Sequence, residues 1–282
     1  MASLKVESSV EPAAKIEVRG PGKGTEAENN SEAPIVADDN NRPESVSGSN
    51  TNVIAPSEYF QGLLYAGGQI VLDRDYTGDF IVPASSKVDL DLNGYSITNA
   101  SGDTFTVVGE LAISGEGTVD NVSHGRACIY NNGIVTLSGG RYTRSREASS
   151  STSASGGNSY YNILNHGEMV IYEGVVVYSS GAFSSLIANG YFDYTKSDPR
   201  SGYVDGENLE NPTLIISGGW FSGGINTVKN DDGAILDILG GEINNTTQAC
   251  VQNNNIANIS YGTFNPASGH SVESKKYATD YN

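Results

Sequence analysis

Apolar and polar residues alternate in short segments from about residue 69 to residue 264, and glycine or asparagine separates the segments. Residues 87–94, KVDLDLNG, show the alternation most clearly, directly before an Asn-Gly pair. A period of two predicts strands with one buried face, and Asn-Gly is a turn dipeptide. The pattern therefore predicts many short β-strands joined by tight turns.

The segments form a repeat, which residues 130–142 (YNNGIVTLSGGRY) represent. A turn glycine marks each unit: Gly117, Gly140, Gly174, Gly219, Gly241 and Gly262. Their spacings of 23, 34, 45, 22 and 21 residues predict a unit of about 22 residues with insertions at 144–159 and 191–212. Two residues after each glycine we expect an inward apolar side chain: Val119, Tyr142, Val176, Phe221, Ile243 and Phe264.

A column of asparagines occupies a second fixed position in the repeat. Its members are Asn131, Asn165, Asn189, Asn230 and Asn253. Side-chain amides stacked on successive units can hydrogen-bond to one another, so we predict an internal asparagine ladder. Gly133, Gly167, Gly190, Gly233 and Asn255 follow, and these residue types tolerate a left-handed backbone.

The two cysteines, Cys128 and Cys250, share one position in the repeat and are expected to point inward. About four units separate them, which is roughly 19 Å at the spacing of paired strands. That distance excludes a disulfide between them.

A unit of this size cannot enclose a core alone, but it can wind into a solenoid in which each coil pairs with the next. The repeat and its asparagine column resemble the right-handed parallel β-helix family, the pectate-lyase-like solenoids, from about Ile70 to Phe264. The opening VDLDLNGYSIT is similar to the first coils of such domains in phage fibres and in surface proteins of gut bacteria. The resemblance implies an all-β fold, a single right-handed parallel β-helix over residues 53–265.

Both flanks of the repeat differ from it. Residues 57–66, SEYFQGLLYA, predict a short amphipathic helix that Ser57 caps, that ends at Gly67-Gly68 and that covers the N-terminal end of the solenoid. Residues 266–282 lose the repeat and are expected to cap the far end or to contact a neighbour.

Residues 1–52 contain almost no aromatic residue, several Pro and many Glu, Asn and Ser, and they carry five Lys/Arg and nine Asp/Glu. Such a segment cannot bury enough apolar surface to order alone, so it is either a flexible tail or an extended arm that orders on a partner. Two alternating pieces within it could add a strand to the sheet edge of a partner. Their apolar residues are Leu4, Val6, Ile16 and Val18.

The net charge of −17 disfavours binding to nucleic acid and to anionic membranes. No run of 18 apolar residues predicts a transmembrane helix. The first 30 residues lack the apolar core of a secretory signal. If Met1 is the true start, we expect synthesis and retention in a cytosol unless a lysing cell or a virion carries the chain out.

Candidate catalytic groups are few. Asp89 and Asp91 lie about 7 Å apart on one strand face, a separation that an inverting glycosidase could use, but alternation alone also explains them as a solvated face. Asp237, with Asp231 and Asp232, is a weak candidate for calcium, and Glu168 and Glu173 are weaker ones. The three histidines are too scattered for a metal site. We therefore predict no catalytic residue, no metal site and no cofactor.

Candidate contact residues concentrate at the insertions. Arg141, Arg144 and Arg146 form a basic group at the base of the Ser-rich first insertion. Tyr191, Tyr194 and Tyr203 lie in the second insertion. Loops on a rigid scaffold often carry binding, and exposed tyrosine offers contact area for sugars or proteins. We expect these six residues to contact a glycan or a protein partner.

Three functions follow from the fold resemblance and the flanks. The first is a non-enzymatic virion structural protein, such as a phage head fibre, a capsid decoration or a tail-associated fibre. Residues 1–52 would attach it to a capsid or other virion protein, and the solenoid would project and could bind cell-surface glycans. The second is a tailspike-type protein that binds or depolymerises glycans, and the third is a bacterial surface adhesin. The sequence leaves open whether copies form a homo-oligomer.

Overall fold

The structure is a computed structural model that describes residues 55–123, 125–145, 160–181, 184–190, 211–231, 233–267 and 271–274. These residues form a right-handed parallel β-solenoid with one short helix near its N-terminal end. The predicted fold class is thereby confirmed.

Three parallel sheets, A, B and C, run along the solenoid, each with eight strands among the described residues. Sheet A consists of β1 (Gly68–Val71), β4 (Lys87–Asp91), β7 (Glu110–Ser114), β10 (Ile134–Leu137), β13 (Glu168–Ile171), β16 (Thr213–Ile216), β19 (Ile235–Ile238) and β22 (Ile256–Ile259). Sheet B consists of β2 (Tyr76–Thr77), β5 (Ser96–Thr98), β8 (Thr118–Asp120), β11 (Arg141–Thr143), β14 (Val176–Tyr178), β17 (Trp220–Ser222), β20 (Glu242–Asn244) and β23 (Thr263–Asn265). Sheet C consists of β3 (Phe80–Val82), β6 (Phe105–Val107), β9 (Ile129–Asn131), β12 (Ile163–Asn165), β15 (Ile187–Asn189), β18 (Val228–Asn230), β21 (Val251–Asn253) and β24 (Val272–Ser274).

The core lies between the three sheets, because alternate residues of each strand point inward. In β10, Val135 and Leu137 are buried, and Val135 lies between Leu111 of β7 and Met169 of β13. The six turn glycines named from the repeat all have φ between 83° and 147°, a region that favours glycine. Each coil therefore turns where the repeat places its glycine.

One coil departs from the predicted inward positions. Val176 is half-buried on the outer side, and Val177 is the fully buried residue that pairs with Tyr142 and Phe221. The prediction for Val176 is wrong because the turn after Gly174 has one residue more than its neighbours. In a strand, a shift of one residue exchanges the buried and exposed faces.

The helix α1 spans Pro56–Ala66 and begins one residue earlier than predicted. Its N-cap is Ala55, which makes no side-chain cap, so the predicted cap at Ser57 is wrong. Pro56 starts the helix because its fixed φ suits the first position, where its missing N–H costs no hydrogen bond. The helix ends at Gly67, whose N–H donates to the Leu63 carbonyl at 3.0 Å.

The apolar side of α1 closes the N-terminal end of the solenoid. Phe60 and Leu64 are fully buried. The Phe60 ring stacks on Tyr76 at 4.6 Å between centroids and meets Phe80 edge-on at 4.8 Å. The helix thus supplies the layer of apolar contacts that another coil supplies elsewhere.

The asparagine column lies inside the solenoid at the ends of the sheet C strands. Each Nδ2 donates to the Oδ1 of the next coil, at 2.7 Å for Asn131 to Asn165 and for Asn165 to Asn189, and at 2.8 Å for Asn189 to Asn230 and for Asn230 to Asn253. Each of the first four also donates to a backbone carbonyl of the next coil, as Asn165 does to Thr213 at 2.9 Å. The column therefore links five coils.

The small residues after the column serve two purposes. Gly190 and Gly233 have positive φ, as predicted, whereas Gly133, Gly167 and Asn255 do not. At Gly167 the constraint is space, because a Cβ there would lie 2.1 Å from the carbonyl oxygen of Gly133 in the preceding coil. Both cysteines are buried and free.

Candidate functional site

Many of the residues predicted to make contacts lie outside the described part of the chain, and their roles stay predictions. They are Leu4, Val6, Ile16 and Val18 of the arm, Arg146 of the first insertion, and Tyr191, Tyr194 and Tyr203 of the second. Among the contact candidates, the structure describes Arg141 and Arg144.

Arg144 is not a surface contact residue, because only 1% of it is exposed. Its Nη1 donates to the Tyr160 carbonyl at 2.6 Å, and its Nη2 donates to the Ser123 carbonyl at 3.3 Å. The guanidinium therefore joins backbone segments of different coils. The prediction that Arg144 contacts a partner at the surface is corrected to a structural role.

Arg141 is exposed on the outer face of sheet B. Together with Tyr178 and Trp220 it forms a cluster that we call the sheet B platform. Its guanidinium carbon lies 5.3 Å from the centroid of the Tyr178 ring, a cation–π distance. Tyr178 in turn stacks on Trp220, with 6.4 Å between centroids and 30° between planes. Trp220 is 38% exposed, so the platform presents a large aromatic face to solvent.

Strand register explains why these three residues meet. Arg141, Val176, Trp220 and Glu242 occupy equivalent outward positions on four successive coils. Tyr178 lies two residues beyond Val176 on the same face. The sequence separation between Arg141 and Trp220 therefore becomes two coils, about 10 Å along the solenoid.

A groove of about 500 Å³ lies beside Trp220 at the corner between sheets A and B. Glycines make this corner shallow: Gly174, Gly218, Gly219 and Gly241 all line it. At Gly218 a Cβ would lie 2.7 Å from the Glu173 backbone nitrogen, so no larger residue fits there without movement. The floor of the groove beside Trp220 is therefore formed largely by backbone.

Two exposed carboxylates, Glu173 and Glu242, border the groove. The ion pairs between described residues join Asp73 to Arg74, Lys87 to Glu110 and Lys229 to Asp231. Neither Glu173 nor Glu242 takes part in them. Glu242 receives only a long hydrogen bond, 3.5 Å, from the Asn265 side chain. Both carboxylates therefore keep acceptor capacity for a ligand.

The outer face of sheet C contrasts with this open groove, because its middle strands β12, β15 and β18 are buried on both faces. The Tyr130 hydroxyl lies 3.4 Å from His166 Nδ1, and the two rings meet edge-on at 5.4 Å. Burial lowers the pKa of His166 to about 4, so the imidazole is neutral near pH 7. Lys229 Nζ lies 2.9 Å from Asp231 Oδ1 with both side chains buried.

The described carboxylates considered from the sequence make separate local contacts, and Asp232 lies outside the described residues. Asp91 accepts a hydrogen bond from the Asn93 backbone at 2.9 Å and so orders the turn. Asp237 accepts one from Asn258 at 2.8 Å, and Asp231 pairs with Lys229. Within the part of the chain that the structure describes, no group of three or more His, Cys, Asp or Glu residues could hold a metal ion.

Sequence reasoning found Arg141 and considered Glu173 only as a weak calcium candidate, and it missed Trp220 and Glu242. The signal for Trp220 is its place between Gly219 and Phe221, since the residue before an inward position must point outward. No described helix has the length and hydropathy of a membrane span. No family model, no curated protein and no solved structure matches the chain.

Proposed function

We propose that the chain is a non-enzymatic structural protein of a virion that binds cell-surface glycans through the sheet B platform. Residues 1–52 attach it to a capsid or other virion protein, and the solenoid projects outward. The observation that carries the glycan part is the exposed face of Trp220, stacked on Tyr178 and bordered by Glu173 and Glu242. Aromatic faces pack against sugar rings, and carboxylates accept hydrogen bonds from hydroxyls.

The two glutamates lie on different coils of the solenoid. Glu173 lies in the coil of β14, and Glu242 lies two coils further along. Their backbones are therefore about 10 Å apart along the solenoid axis. In glycosidases the two carboxyl groups themselves are about 5–5.5 Å apart in retaining and about 6.5–9.5 Å apart in inverting enzymes. The backbone spacing does not fix that separation, so a cleavage assay is needed to distinguish binding from cleavage.

A glycan-depolymerising protein of the tailspike type is the second candidate, because two carboxylates do border an aromatic groove. The two candidates differ in one measurement. Incubation of bound oligosaccharide with the protein should release no new reducing ends if the protein only binds. Release that Glu173→Gln or Glu242→Gln abolishes would favour the enzyme.

Substitution of Trp220 tests glycan binding. We expect Trp220→Ala to weaken binding of a hexose oligosaccharide about tenfold or more, since stacking on the indole is lost. Calorimetric titration measures the affinity, and Tyr65→Ala, which removes another exposed aromatic side chain on α1, is the matched control. Unchanged affinity in Trp220→Ala would contradict the assignment of this site.

Deletion of residues 1–52 tests the attachment to a virion. We expect the shortened protein to fold with the circular dichroism of the full chain and to be missing from purified particles. Particles assembled in cells that express the full chain provide the control. If the shortened protein still sediments with particles, attachment does not depend on the arm.

A further inference from the structure

The groove beside Trp220 combines an aromatic face with negative charge alone. Its described lining residues include Glu173 and Glu242 but no Lys, Arg or His. Arg141 lies two coils from Trp220, and its guanidinium is placed over Tyr178. The net charge of −17 on the chain adds to the negative potential of this concave surface, where field lines concentrate.

The carboxylates flank the indole along the solenoid axis. Glu242 pairs directly with Trp220 in the strand register, one coil further along. Glu173 lies in the coil before, where its backbone packs under Gly218. The backbones of the two glutamates therefore lie on opposite sides of Trp220, each about one coil away, and both residues line the groove.

We propose that the groove selects glycans that carry free amines, that is hexosamines without an N-acetyl group. The sugar ring stacks on Trp220, and its ammonium group pairs with Glu173 or Glu242. An ammonium gains both a charge-assisted hydrogen bond and attraction to the indole face. Uronic and sialic acids are repelled by the same carboxylates. This inference rests on the proposed glycan-binding function and names its ligand class.

Titration of the full chain with three oligosaccharides of equal length tests the selection. The probes are a glucosamine oligomer, an N-acetylglucosamine oligomer and a glucose oligomer, at about pH 6, where amines are protonated. We expect the glucosamine oligomer to bind about tenfold more tightly than the other two, and this advantage to shrink with added salt. Glu173→Gln and Glu242→Gln should each reduce the advantage of the glucosamine oligomer over the N-acetylglucosamine oligomer several-fold, because each removes one partner of the ammonium.

Glu116→Gln is the matched control, because Glu116 is also exposed in a turn between sheets A and B but does not line the groove. It should leave the advantage unchanged. A lysine oligopeptide is a fourth probe, since it carries the same ammonium without a sugar ring. Binding of the peptide as tight as that of the glucosamine oligomer would overturn the assignment to a sugar.

The remaining outcomes distinguish a failure of the amine selection from a failure of glycan binding. If all three oligosaccharides bind equally and Trp220→Ala weakens all of them, the amine selection is wrong and glycan binding stands. If no oligosaccharide binds, the proposed glycan-binding function fails and the amine selection fails with it. An advantage of the glucosamine oligomer that both glutamine variants leave intact would place the ammonium elsewhere and overturn the proposal.

Discussion

The two ends of the solenoid close their interior differently. At the N-terminal end, α1 lays Phe60 and Leu64 on the first coils, and both are fully buried. In β22, the last sheet A strand among the described residues, Ile259 is 37% exposed, and Tyr261 in the segment that follows is 76% exposed. Among the described residues, the same repeat therefore yields a sealed end and a more exposed one, which we call the open end.

The difference shows that an inward position is not by itself a buried position. Ile238 and Ile259 pair with each other in sheet A and have the same place in their coils. Ile238 is completely buried because β22 covers it on the next coil, whereas Ile259 has no described sheet A strand beyond it. In a solenoid each unit depends on its neighbours for burial.

The largest effect is expected at the sealed end. Phe60→Ala should lower the free energy of unfolding by about 3–5 kcal/mol, because it removes a fully buried ring that contacts Tyr76 and Phe80. Urea unfolding measures the change, and Tyr65→Ala on the exposed side of α1 is the control. A loss below about 1 kcal/mol would mean that the helix does not seal the core.

Acid should destabilise the middle of the solenoid through His166. Burial lowers the pKa of His166 to about 4 from an ordinary 6.5, so between these values the unfolded chain binds a proton that the folded chain does not. This contribution to stability is present above about pH 6.5 and is lost as the pH falls towards 4, by an amount on the order of 3 kcal/mol.

His166→Gln should flatten the dependence of unfolding free energy on pH over that range. The comparison uses the slope of unfolding free energy against pH for each protein. Any effect of the substitution on packing that does not depend on pH therefore cancels. Burial raises the pKa of Asp103, which acts in the opposite direction, but equally in both proteins. An unchanged slope in His166→Gln would show that His166 is not the acid-sensitive group.

A smaller effect is expected in the asparagine column, and it should decrease towards the open end. Asn165→Ala should cost about 2 kcal/mol, because it leaves buried partners in two neighbouring coils without hydrogen bonds. Asn253 is only half-buried, so Asn253→Ala should cost less. Thermal and urea unfolding of both variants measure the gradient, and equal losses would argue against it.

The smallest effect is expected at the open end. Ile259→Ala should lower the free energy of unfolding by less than about 1 kcal/mol, since more than a third of this side chain is already in water. The matched variant is Ile238→Ala, which should cost about 2–5 kcal/mol. If the two variants lose the same stability, Ile259 is covered in solution and the comparison of the ends is wrong.

Period-two alternation and a constant unit length were enough to predict which side chains point inward over most of the chain. Tyr142 and Phe221 are buried where the repeat placed them. The five asparagines named from the sequence are the five that bond in series, because stacking coils of equal length aligns equal positions. Val176 was misplaced because one added turn residue cannot be located by counting from a glycine.

The candidate site was less accessible to sequence reasoning. Arg141, Tyr178 and Trp220 are far apart along the chain, and the two insertions that separate coils hide their common register. Arginine is usually a surface residue, yet Arg144 is buried and donates to the backbone carbonyls of Ser123 and Tyr160. No local pattern contains such partners, because other coils bring them.

The sequence by itself determined the solenoid, the unit of about 22 residues, the turn glycines and the asparagine column, since each depends on a repeated local position. Only the tertiary structure decided which outward residues become neighbours and which positions are truly buried. The physical reason is that contacts in a solenoid form between coils, about one strand spacing apart, while the chain between those contacts runs through a whole coil and any insertion it carries.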